Sequence, residues 1–294
     1  MISRYADRAA TLVLWAVASL VVLLLVAIVG CVIWNGRTAL NWHFLTGPAE
    51  ALRAGGGIGP QLFNSFYLLV LSLFITIPIG LGAAVYLAEY APRGPLVEAM
   101  ATATNTLAAL PSIVVGLFGL LVFTGYLGLG YSLISGALAL AVLSLPAMIE
   151  VSLAALQAVP AEVRESSLAL GTTKWQTVWG VVLPAALPGL VSGLVLIAGR
   201  VFGEAAALIY TAGMSSPNFH LNQLNPLLPS SPFNLFRPAE TLAVHIWKLN
   251  SEGLVPDAAR IGNGSAAVLM IVVLCFNLSA RALGARLQRR LTGA

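Results

Sequence analysis

The chain has 294 residues, of which 59% are hydrophobic and only 9% are charged. Soluble domains carry about 25% charged residues, so a soluble enzyme or binding domain is excluded, and the mean hydropathy of +0.91 agrees. In so apolar a chain the net charge of +4 points to basic residues facing the cytoplasm, not to a nucleic-acid partner.

Six apolar spans are predicted, at 9–34, 62–88, 99–123, 133–156, 187–212 and 265–283. The first is longer than the 7–15 residues of a signal-peptide core and reaches the roughly 20 needed to cross a bilayer. It is read as an uncleaved first helix behind Arg4 and Arg8. Pro78, Pro111 and Pro146 interrupt later spans and predict kinks, and Gly116, Gly119, Gly125 and Gly128 allow close helix approach. Placing the N-terminus in the cytoplasm puts nine of the fifteen Lys and Arg inside: Arg4, Arg8, Arg93, Arg164, Lys174, Arg281, Arg286, Arg289 and Arg290. Five, Arg37, Arg53, Arg237, Lys248 and Arg260, fall outside, and Arg200 stays within a span. That bias predicts both termini in the cytoplasm.

The outer loops at 35–61 and 213–264 are long and rich in Gly, Pro, Asn and Ser, which suits an extracytoplasmic docking surface. Gly55-Gly56-Gly57-Ile58-Gly59 lacks the lysine of a phosphate-cradling loop and follows no predicted strand, so it reads as a turn before the second span. Cys31 and Cys275 sit far apart in or beside apolar spans, outside any metal-ligand spacing. His43, His220 and His245 are scattered over outer loops, read as surface or interface residues rather than a catalytic set. No nucleotide-binding motif is found, so nothing in this chain would itself hydrolyse a nucleotide.

The segment at 159–188 is a polar island between apolar runs. Pro160 suits the first turn of a helix, and Glu162 and Glu165 lie where the helix dipole favours acids. Val163, Ser167 and Leu170 would share a face, and Gly171 would supply a stop and a sharp turn. Trp175, Val178 and Trp179 predict a second amphipathic piece ended by Pro184 and Pro188. Taken alone, such a helix could lie passively at the bilayer surface. Its residues carry a resemblance, however: Glu165-Ser166-Ser167, three residues, Gly171, nine residues, then Val181-x-Leu183-Pro184 resembles the Glu-Ala-Ala loop of ABC importer permeases, with serines for the two alanines and valine for isoleucine. The resemblance implies an all-α type I importer fold with a coupling helix that docks on a separate ATPase.

Further matches run along the chain: Gly56-Gly57-Ile58-Gly59-Pro60, Pro78-Ile79-Gly80, Tyr86-Leu87-Ala88-Glu89-Tyr90, Leu110-Pro111-Ser112-Ile113-Val114 with Gly116-Leu117-Phe118-Gly119, and Gly199-Arg200-Val201-Phe202-Gly203-Glu204. As an ordered set they are similar to the A-type permease subunits of high-affinity phosphate importers. The resemblance implies a second, C-type permease, an ATP-binding subunit dimer, an extracytoplasmic phosphate-binding protein and phosphate as partners, besides membrane lipid. It also implies a division into a cytoplasmic N-terminus (1–8), a first helix with its outer loop (9–61), the transmembrane domain (62–284) and a basic tail (285–294).

Arg200 and Glu204 are predicted one turn apart in the fifth span. A charge at mid-membrane costs about 2.5–3.5 kcal/mol on insertion scales, so such residues face a cavity or a partner. An arginine fork suits phosphate oxygens, and a glutamate can accept a hydrogen bond from protonated phosphate but not from sulfate. A mutual ion pair that only fixes packing is the alternative. The resemblance assigns the arginine to phosphate passage. Where many relatives have Arg-Thr-Thr-Glu near the cytoplasmic end of the fourth span, this chain reads Glu150-Val151-Ser152-Leu153. Glu150 there is either a pairing residue for the partner permease or a solvated acid. The other functions in play are a permease for molybdate or sulfate, the C-type phosphate permease, and an ATP-independent carrier or channel gated by Arg200 and Glu204.

Overall fold

The computed structural model describes residues 2–50, 54–92, 94–217, 223, 225–252 and 256–292; the side chains of 2–6, 252 and 287–292, those of Arg4, Arg289 and Arg290 among them, are left aside, and Arg53, Arg93 and His220 lie outside what is described. Helix α1 (Ile2–Gly36) is followed by the short α2 (Trp42–Thr46) and by α3 (Gly59–Val85), which widens into a π-helical turn at Tyr86–Tyr90. Then come α4 (Pro95–Ala109), α5 (Ser112–Gly119) with a π-helical end at Leu120–Tyr126, α6 (Leu133–Gln157), α7 (Ala161–Ala169) and α8 (Lys174–Thr177). A π-helical turn at Val178–Val182 joins α8 to α9 (Leu183–Phe202), and α10 (Ala206–Thr211), α11 (Leu242–Glu252) and α12 (Ala258–Thr292) complete the chain. Among the described residues the fold is all-α. Five helices are long and apolar enough to cross a membrane, and the pair α4–α5 makes a sixth if counted as one broken span.

Two predicted spans are corrected. The third is not one helix: α4 and the α5 segment meet at 98°. Leu110 is extended (ψ 132°) before Pro111, the conformation a following proline favours, and Pro111 has no N–H to continue the ladder. The fifth does not run from 187 to 212. Its helix starts at Lys174, is continuous to Phe202, and stops there. Pro184 and Pro188 do not end the preceding amphipathic piece, because the π-helical turn absorbs the break: the Leu183 N–H reaches back to the Val178 carbonyl, carrying the helix past a residue that cannot donate.

The entry to α3 shows why the glycine run is needed. Gly55 has φ +95°, open to glycine without steric cost, and a Cβ on Gly57 or Gly59 would strike the backbone of Gly47 or Thr46. Hydrogen bonds from Gly57 N to Pro48 O and from Ile58 N to Phe44 O, both 2.7 Å, close this turn.

Helices α3 and α6 form the centre of the bundle, where Gly80 admits Met148 and Gly136 admits Leu208 and Ala212. Gly193 of α9 packs directly on Val151 of α6. Leu68, Leu140, Met148, Ile197 and Phe202 are buried in the main core. Phe202 stacks obliquely with Phe66 at 5.0 Å and edge-on with Phe276 at 5.6 Å, which ties α3, α9 and α12 together. A second core, at the end of the bundle that carries α7 and α8, joins Ala84, Leu156, Val159, Val178 and Val182. A third, beside α2 and α11, joins Phe44, Ile58, Leu242 and Ile261. Helix α1 stands apart: its most apolar window is 0% buried, and its C-terminal end touches α12 where Gly36 meets Asn263 and Ala267.

Candidate functional site: the coupling corner and the charged span

The polar island folds as a corner. Helix α7 ends at Ala169, and Gly171 takes φ +83°, the left-handed stop its position predicts. Three hydroxyls knot the corner: Ser167 Oγ lies 2.9 Å from Thr172 Oγ1 and 3.1 Å from Thr177 Oγ1, and the two threonine oxygens are 2.9 Å apart. Thr172 also donates to the Ser167 carbonyl at 2.8 Å. Ser167 stands where the family pattern has alanine, and its hydroxyl is the hub of this knot. Thr173 and Gln176 form a capping box that starts α8. The predicted shared face splits: Ser167 is buried, but Leu170 lies past the helix end and is 85% exposed. Glu165 and Ser166 point outward, with Ser166 Oγ donating to the Glu162 carbonyl at 2.7 Å. Leu183 is buried in the second core and starts the α-helical run of α9, with Pro184 as its second residue.

Arg164, not singled out from sequence, anchors this corner. Its Nε donates to Glu89 Oε1 at 2.9 Å and its Nη2 to the Leu156 carbonyl at 2.7 Å. Its Nη1 donates to the Val159 carbonyl. One side chain therefore ties α7 to the end of α6 and to the π-helical turn after α3. The local signal was weak, since Arg164 and Glu89 are 75 residues apart.

Arg200 and Glu204 are not on one helix. Arg200 is exposed in the last turn of α9, on the side of the exposed Leu196, while Ile197 and Val201 are buried. The helix stops at Phe202, and Glu204 lies in the connection, where its Oε1 accepts from the Ala207 N–H at 3.2 Å and starts α10. No ion pair joins them, and among the described residues the Arg200 guanidinium makes no hydrogen bond. The mutual-neutralisation alternative is thus not what this chain does. Glu150 is exposed on α6 and has no ion pair among the described residues.

The connection between α10 and α11 holds, with α3 and α11, a buried polar network that composition did not reveal. Arg237 is 3% exposed; it donates to the Pro232 carbonyl at 2.8 Å and to Asn64 Oδ1 at 2.7 Å. Burial lowers its pKa to about 10. Glu240 accepts from Gln61 Nε2 at 3.0 Å and pairs with His245 Nδ1 at 3.1 Å, with Lys248 Nζ at 3.7 Å. Burial pushes this carboxyl up, but the hydrogen bond and charge of His245, the charge of Lys248 and the Gln61 amide outweigh it and hold the pKa below its ordinary value. His245 is therefore a buried network member, a correction to its reading as a surface histidine. Among the described residues no cluster of His, Cys, Asp and Glu could hold a metal, and Cys31 and Cys275 are exposed free thiols.

A polytopic helical bundle with a rigid corner set at the start of one spanning helix is the build of an ABC-importer permease subunit, a component that carries no catalytic machinery of its own. The family described as "binding-protein-dependent transport system inner membrane component" matches residues 76–293, and the chain belongs to it. Among curated relatives it is 48% identical over 286 residues to the probable ABC transporter permease protein YqgI of Bacillus subtilis (strain 168), covering 97% of each chain. It is 32% identical over 253 residues to the phosphate transport system permease protein PstA 1 of Mycobacterium tuberculosis (strain CDC 1551 / Oshkosh), covering 84% of this chain and 77% of that one. In fold it is similar to a chain of the bacterial alginate ABC transporter crystallised with its alginate pentasaccharide-bound periplasmic protein, with a TM-score of 0.62, 17% identity, and 94% and 93% of the two chains covered.

Proposed function

We propose that this chain is the permease subunit of an ATP-driven importer of inorganic phosphate in a bacterial inner membrane, with both termini cytoplasmic. It would work with a second, C-type permease, an ATP-binding subunit dimer that uses ATP and Mg, and an extracytoplasmic phosphate-binding protein. The observation that carries the reading is the continuity of one helix. Lys174–Phe202 is 29 residues of unbroken helix, about 43 Å at 1.5 Å per residue, with Arg200 in its last turn. A push on the corner at Glu165–Gly171 is therefore delivered to Arg200 as a rigid-body movement. The outward-facing Glu165, Ser166, Leu168 and Leu170 form the face offered to the ATPase.

The phosphate assignment rests on Arg200 and on the likeness to PstA chains. An exposed guanidinium without a partner among the described residues, at the end of an apolar helix, calls for an anion or an acid of another subunit; a planar fork of donors suits a tetrahedral oxyanion. Glu204 would then distinguish a protonated phosphate from a fully ionised sulfate, and Glu150 would pair with a base on the partner permease. The test is uptake of labelled phosphate by the four-component complex in liposomes. Glu204→Gln should change phosphate-over-sulfate discrimination or passage; if both stay the same, Glu204 is outside the pathway. Transport of molybdate or sulfate in preference to phosphate would overturn the substrate while leaving the importer reading intact.

A further inference from the structure

Beside the buried network the outer end of the bundle holds an open cavity of about 700 Å³, lined in part by Tyr131, Ile209, Met214, Ser215 and Lys248. That is within the usual range for small-ligand sites, about 300–1,000 Å³. Lys248 is the single cation in its described lining, and no carboxylate lines it.

The ammonium has three donors. One is held by the Met214 carbonyl at 2.8 Å. Glu240, at 3.7 Å, is too far for a hydrogen bond, and its oxygens are engaged by Gln61 and His245. Glu240 is also buried behind the wall, at 4% exposure, whereas the Lys248 side chain is one-third exposed. Lys248 thus keeps two donors beyond the Met214 bond, and shares Glu240 with His245, at the wall of a cavity that Tyr131 and Ser215 also line.

The cavity's position gives it a use. Ile209 belongs to α10, the six-residue helix whose first turn is held by Glu204. Six residues of helix span about 9 Å. An anion arriving from the outer side would meet Lys248 one short helix before Glu204.

We propose that this cavity is an outer vestibule for a small oxyanion, with Lys248 as its receiving charge and the Tyr131 and Ser215 hydroxyls as further donors. The inference rests on the oxyanion reading given above, and its test separates the two. Ser215→Cys would be introduced into the assembled transporter with Cys31→Ser and Cys275→Ser, and labelled with methanethiosulfonates carrying a sulfonate or a trimethylammonium group. A fixed positive charge in the same cavity wall should make the anionic reagent react several-fold to about tenfold faster than the cationic one, relative to their rates with a free thiol. The advantage should shrink as salt is raised, a readout that needs no change at Lys248. It should fall toward unity in Lys248→Gln, survive in Lys248→Arg, and labelling should be slowed by millimolar inorganic phosphate. Equal reactivity of the two reagents, or an advantage untouched by salt and by Lys248→Gln, would overturn the vestibule. Protection by sulfate or molybdate but not by phosphate would leave the vestibule standing and remove the phosphate assignment.

Discussion

Arg164→Gln is the perturbation that most directly probes how the corner is held. Arg164 and Glu89 are 21% and 13% exposed in their side chains, so their pair is partly screened and is worth about 1 kcal/mol. The bonds to the Leu156 and Val159 carbonyls involve a charged donor, at about 1.5–3 kcal/mol for the stronger kind. Together the loss is about 2–4 kcal/mol in the docking of α7 on α3 and α6. At 1.4 kcal/mol per decade, that shifts the docked–undocked equilibrium by about thirty-fold to several-hundred-fold. Hydrogen exchange of the α7 backbone amides should read this directly. Transport per ATP hydrolysed should fall with it, because a loosened corner dissipates the stroke before it reaches α9. Arg164→Lys would keep one contact and give an intermediate effect, and a double-mutant cycle of Arg164→Gln with Glu89→Gln should return a coupling of about 1 kcal/mol. Unchanged amide protection together with unchanged coupling would refute the reasoning.

Gly171→Ala forces a Cβ into the left-handed region and should destabilise the corner by about 1 kcal/mol, seen as a lower melting temperature of the complex and partial uncoupling; an unaltered melting curve would mean the turn relaxes freely. Arg200→Gln should abolish phosphate flux without preventing assembly, as judged by co-purification of the ATPase; retained flux would make the arginine structural. The pH dependence of the outer network has a definite sign. The folded-state pKa of Glu240 is depressed, so its stabilisation is present above the ordinary carboxylate value of about 4.3 and is lost as pH falls through the lowered folded value. Glu240→Gln should therefore lower thermal stability at pH 7 and much less in strong acid; an equal deficit at both would contradict it.

The six apolar stretches were legible because lipid demands long uncharged runs, and the corner was legible because a glycine stop and its flanking polar residues leave a local pattern. Neither the 98° break at Leu110–Pro111 nor the end of α9 at Phe202 could be read the same way. A proline in an apolar run is compatible with both a kink and a break, and the outcome at Pro111 goes with the packing of Gly116 on Ala207. Likewise Gly203 in a motif reads as a tolerated helical residue until Glu204 is seen capping α10. Ser167 looked like a mere departure from alanine, and its role needed the neighbouring Thr172 and Thr177 in three dimensions. Arg164 with Glu89, and Arg237 with Asn64, lie 75 and 173 residues apart, and separations of that kind leave no periodicity to detect.

The central claim is that ATP hydrolysis on a partner subunit, delivered through the corner at Glu165–Gly171, drives phosphate past Arg200. It is tested most directly by labelled-phosphate uptake in liposomes containing this chain, its partner permease and the ATPase, with the binding protein outside. The account predicts accumulation that requires ATP, is lost in Arg200→Gln, and is uncoupled from continuing ATP hydrolysis in Gly171→Pro. Phosphate accumulation by this chain without ATP, or full ATP-driven uptake with Gly171→Pro in place, would contradict it.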